Sequence, residues 1–87
     1  MHKARLLSHA TQLASELGYQ IREEPLEGAG GGHCLIRGQK WLLLDLTQSR
    51  EDQLRDVVDA LRADPNLNLS DVPPELLGYL QPLSKAA

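Results

Sequence analysis

The run Trp41-Leu42-Leu43-Leu44-Asp45-Leu46 constrains the fold more than any other part of the chain. It is too short and too apolar to be a surface helix, and polar residues bound it. As a strand it sets Trp41 and Leu43 on one side and Leu42, Leu44 and Leu46 on the other, because successive side chains point to opposite faces. A strand that is apolar on both faces has to be covered on both. The covers come from the rest of an 87-residue chain or from a partner. A domain of that length buries about 60–65% of its unfolded surface, so little material is left over.

The strand's first partner lies just before it. Residues 33–37 and 40–46 read as a hairpin, with Gly38 as the first of two central residues, which suits a type II′ turn. That turn sets Ile36 opposite Trp41 and Cys34 opposite Leu43 on one face. It sets Leu35 opposite Leu42 and His33 opposite Leu44 on the other. Cys34, beside Ile36 and Leu43, then reads as a small buried core residue.

The remaining elements follow from periodicity. Over residues 3–17, Leu6, Leu7, Ala10, Leu13, Ala14 and Leu17 recur at helical spacing and make one apolar stripe, and Gly18 stands where a left-handed C-terminal cap is wanted. Residues 19–24 alternate, with Tyr19 and Ile21 inward, and Pro25 ends the strand. Residues 27–32, with four glycines, form a loop. Ser49 caps a second helix over 50–63, with Glu51 and Asp52 complementing its dipole and Leu54, Val57, Val58 and Leu61 as its stripe. Leu67 and Leu69 anchor the loop over 64–73. A short helical turn, begun at Ser70 or Asp71, runs through Pro74–Leu80 with Leu76, Leu77 and Leu80 inward. Residues 81–87 read as a flexible tail.

The order predicts one small α+β domain over residues 1–80, with a mixed or antiparallel three-stranded sheet. Two arrangements satisfy it. Either the two longer helices cover opposite faces of the sheet, or both cover one face and a dimer buries the other.

Composition excludes several function classes. The net charge is −3, and the acidic residues concentrate after residue 43. No basic patch carries interleaved aromatics, so nucleic-acid binding has no electrostatic footing. The lone Cys34 makes neither an intrachain disulfide nor a cysteine-based zinc cage. No apolar run exceeds four residues, so nothing reads as a membrane span. No apolar segment follows the basic start, so no signal peptide is read and a cytoplasmic location is expected.

No motif brings catalytic groups together. Gly28 and Gly30 fit a dinucleotide fingerprint, but His33 holds its third glycine position, and a strand follows where a helix is required. His33 and Cys34 are neighbours on a strand and point apart, so they cannot act as a nucleophile–base pair. His2 and His9 are too far apart on their helix to hold one metal. The second helix offers Asp52-Gln53-Leu54-Arg55-Asp56, not a zinc-protease signature. Asp45 near a strand end reads as a structural acceptor. The chain is therefore expected to be non-enzymatic, without cofactor or metal, and to bind itself or another protein through Trp41 and Leu43. The alternative is a small-ligand or anion site at loop 28–33, using Gly30, Gly31, Gly32, His33 and Arg37, with Lys40 and Arg22 nearby.

The segments Leu17-Gly18-Tyr19-Gln20-Ile21-Arg22-Glu23-Glu24, then Gly30-Gly31-Gly32-His33-Cys34 through Leu46, then Ser49-Arg50-Glu51-Asp52-Gln53-Leu54, resemble short uncharacterised bacterial proteins. Those have a Gly-Gly-Gly-x-Cys segment before a β-hairpin and a closing acidic helix. The resemblance covers about half the chain and implies a bacterial cytoplasmic protein with no assigned activity. The helix–hairpin–helix order also loosely resembles metallopeptidase-like domains of phage-repressor-cleaving proteins, but their His-Glu-x-x-His is missing.

Overall fold

A computed structural model of the chain describes residues 2–80, so the tail expected over 81–87 lies outside the described residues. Helix α1 spans Lys3–Glu16, strand β1 Gln20–Glu24, β2 Gly32–Ile36 and β3 Gln39–Asp45. Helix α2 spans Arg50–Ala63, and a 3-10 turn at Leu69–Asp71 precedes α3 at Pro74–Leu80. The domain is α+β, and its sheet is mixed.

Helix α1 ends as its sequence requires. Gly18 takes φ +99°, and the amides of Gly18 and Tyr19 donate to the carbonyls of Ser15 and Ala14, both at 3.0 Å. These bonds satisfy carbonyls that the helix end leaves unpaired. Helix α2 starts at Ser49, whose Oγ accepts from the Asp52 amide at 3.1 Å.

The strand order is β1-β3-β2, so the Leu-rich strand is central. β1 runs parallel to β3 with Ile21 opposite Leu42, and β2 runs antiparallel with Cys34 opposite Trp41. β1 ends and β2 begins at the same end of the sheet. The loop between them therefore crosses over the C-terminal end of β3.

The hairpin differs from its expected form. Ile36 pairs with Gln39, and the two central residues are Arg37 at φ +53° and Gly38 at φ +80°. Two positive φ values define a type I′ turn, not II′, and I′ matches the twist of the flanking strands. The register shifts by two residues, which preserves the side of every side chain. Cys34, Ile36, Trp41 and Leu43 still share one face, as do His33, Leu35, Leu42 and Leu44.

Both longer helices pack on the Leu42/Leu44 side. Leu42 and Leu44 are 0% and 1% exposed, and they join one core with Leu6, Leu13, Leu54, Val57, Leu61 and Leu76. Helices α1 and α2 pack chiefly on each other, and α3 closes their far side. The two longer helices thus share one face of the sheet, and the arrangement with one helix on each face is not realised. Three expectations of burial fail, the first at Leu46, which lies beyond the end of β3 and is 50% exposed. Cys34 is exposed, because its face carries no helix. Leu69 is exposed too, and Leu67 alone of the two loop leucines packs against the core.

Candidate interaction surface

The side of the sheet away from the helices is apolar and open. Arg22, Cys34, Ile36, Trp41 and Leu43 line a depression of about 150 Å³ on it. Trp41 and Leu43, expected at an interaction site, lie together there and are half-buried. Ile36 is 52% exposed. At the β1 margin, Arg22 forms an ion pair with Glu24. That pair gives the aromatic and aliphatic centre a polar margin on the β1 side.

The opposite side of β2 borders a second hollow, about 380 Å³, lined by Tyr19, His33, Leu35, Lys40, Asp64 and Pro65 among others. Its charged groups are tied to each other. Lys40 Nζ donates to Asp64 Oδ2 at 2.8 Å and lies 4.8 Å from the centre of the Tyr19 ring. Asp64 also accepts from the Asn66 amide at 2.8 Å. Burial would push the Asp64 carboxyl up, but the Lys40 ammonium and the Asn66 amide outweigh it and hold the carboxyl below its ordinary value. Burial, and then Asp64, push the Tyr19 hydroxyl up. This cluster pins β3 to the C-terminal end of α2. The sequence reading missed it, because 24 residues separate Lys40 from Asp64. The available signal was a lone Asp before Pro65 at a helix end.

The glycine loop points its donors inward. The amides of Leu26, Gly28 and Gly30 donate to the Asp45 carboxylate at 2.9, 3.1 and 3.1 Å. The Thr47 amide and hydroxyl add bonds of 2.9 and 2.6 Å. The Gly31 amide donates to Asp56 Oδ2 at 3.2 Å. Burial alone would raise the Asp45 carboxyl, but the Thr47 hydroxyl and the surrounding amides hold it well below the usual carboxylate range. At Asp56 burial prevails, and its carboxyl is raised. The protein's own carboxylates thus occupy the amide cradle that suggested an anion site. Of that candidate set, His33 and Arg37 are exposed, and Arg37 sits in the turn at the far end of β2 from the loop. The structure does not gather these residues around one point. Among the described residues, no cluster of His, Cys, Asp or Glu has the arrangement of a metal site, and no helix is long and apolar enough to cross a membrane.

Comparison of the chain with family models, with curated proteins and with solved structures finds no match. The reading of function therefore rests on the geometry.

Proposed function

We propose that this chain is a protein-interaction module that docks through the bare side of its sheet. The observation that carries the reading is the one-sided placement of the helices. It leaves Cys34 and Ile36 of β2 and Trp41 and Leu43 of β3 as an uncovered face, while Leu42 and Leu44 seal the other side of β3. Contiguous apolar patches rimmed by polar groups mark interaction sites. Tryptophan at the centre of such a patch is the side chain that most often anchors one.

Leu43→Asp tests the reading. It places a carboxylate in the centre of the face while leaving the helix side intact. The wild-type chain should bind 1-anilino-8-naphthalenesulfonate, and its mass by sedimentation equilibrium should rise above 9.6 kDa as concentration increases. A range of about 1–500 µM spans the affinities of weak interfaces. Leu43→Asp should bind less dye and keep its circular dichroism. Equal dye binding by the two proteins, with both at the monomer mass throughout, would overturn the proposal.

A further inference from the structure

The two edges of the sheet are unlike. β1 forms one edge and carries Arg22, Glu23 and Glu24 in a row before Pro25. Charge and proline are the usual means by which a sheet keeps an edge from pairing. β2 forms the other edge, and Gly32–Ile36 has neither Asp, Glu, Lys, Arg nor proline.

Turn geometry determines which main-chain groups of β2 are free. In a two-residue hairpin the residues flanking the turn exchange both of their main-chain bonds, and the pattern then alternates. Ile36, Cys34 and Gly32 therefore direct theirs at β3, opposite Gln39, Trp41 and Leu43. His33 and Leu35 direct theirs outward. Leu35 is also 71% exposed.

We infer that β2 is where a second copy of this chain pairs, antiparallel and about a two-fold axis at Cys34, joining two three-stranded sheets into one. The inference rests on the reading of the chain as an interaction module and adds to its bare face a second contact, the β2 edge, with a second copy as partner. In this register Leu35 lies opposite His33 of the second copy and the reverse, so every outward group on both strands finds a mate. A shift of two residues either way would pair His33 with Arg37, which is in the turn at φ +53°, or Leu35 with Gly31, which lies against Leu43.

The side chains agree with the register. On the bare side, Ile36 falls opposite Gly32 of the second copy, where no side chain obstructs it and Leu43 of that copy is the next neighbour. On the helix side, Leu35 falls beside His33 of the second copy, a wall of the larger hollow. No pair across the axis sets two like charges opposite each other. The pairing also makes the two bare faces continuous. A contact this small belongs to the weak, transient class of interfaces.

Cys34 makes the register testable. Residues opposite each other in a pair without direct hydrogen bonds have Cα atoms about 4.5 Å apart, within disulfide range. Diamide removes two electrons and two protons from a facing thiol pair, so it should convert the wild-type dimer to a disulfide-linked one. Amide exchange supplies a second measurement. The His33 and Leu35 amides should exchange fast in dilute protein and slowly in concentrated protein, while those of Cys34 and Ile36 stay protected in both. Leu35→Pro removes an outward donor without touching the ladder to β3 and should slow cross-linking about tenfold or more. A dimer that neither cross-links at Cys34 nor protects His33 and Leu35 would overturn the register and leave the interaction module standing. A monomer mass at all concentrations would overturn the second copy as partner, and dye binding by wild type and Leu43→Asp would then decide the module separately.

Discussion

Gly31→Ala tests the glycine whose added Cβ would come nearest to neighbouring atoms. A Cβ at Gly31 would lie 2.0 Å from the Leu43 carbonyl oxygen and 2.9 Å from its carbon. Both are backbone atoms of the central strand, so no side chain can turn aside. Gly31 is not among the glycines with positive φ, and alanine is excluded by contact and not by conformation. Forcing a methyl into a filled site costs about 1–3 kcal/mol. Lifting the loop to relieve it breaks the Gly31 amide bond to Asp56, and a bond to a charged group contributes about 1.5–3 kcal/mol, the lower end applying at this partly exposed carboxylate. The expected loss is about 3 kcal/mol, a large part of the total for a chain of this length, about 4–13 kcal/mol. Urea unfolding followed by Trp41 fluorescence should show a midpoint lower by about 2–3 M, given a slope of about 1–1.5 kcal/mol/M. Gly28→Ala is the control. Gly28 has φ +81° and nothing within 4 Å of the added carbon. It should lose only the left-handed strain of about 1–2 kcal/mol. A Gly31→Ala midpoint equal to wild type, or above that of Gly28→Ala, refutes the argument that the loop is held against the strand.

Further outcomes follow from the same geometry. Gly38→Val should cost about 1–2 kcal/mol in a urea titration, because a β-branched side chain resists the positive φ of the turn. Ser49→Ala should cost about 1 kcal/mol by removing the cap of α2, and thermal unfolding reads it. Cys34 should react completely with Ellman's reagent in dilute native protein, and protection until unfolding would contradict its exposure. Asp45 is held below its unfolded value, so it stabilises the fold above about pH 4 and that contribution disappears as pH falls toward the folded value. Urea midpoints should accordingly drop on acidification, and Asp45→Asn should be weaker at neutral pH with a flatter acid limb.

The helices were legible because their stripes and caps are local. Leu6 to Leu17, Gly18 and Ser49 each report on residues within one or two turns. The turn was legible only in part. Glycine at position 38 announced a positive φ, but nothing marked Arg37 as a second one, and that moved the register by two. The sidedness of the sheet was not legible. Cys34, Ile36, Trp41 and Leu43 carry the same apolar pattern whether a helix or solvent faces them, and only the packing of α1 on α2 decides it. The role of Asp45 was half legible. An acid ending an apolar strand pointed to a structural acceptor, but apart from nearby Thr47 its donors are amides 15 to 19 residues earlier, at Leu26, Gly28 and Gly30.

The place of β3 between two strands that precede it has a consequence for how the sheet comes into being. β1 and β2 share no hydrogen bond, since β3 separates them. A chain emerging from the ribosome would hold both as unpaired segments until Gln39–Asp45 had been made. The hairpin can then close at once, because its turn is local, whereas pairing with β1 must also close the longer loop. The last strand synthesised is thus the one that creates the sheet, and a fragment ending before Gln39 would contain two strand sequences and no ladder between them.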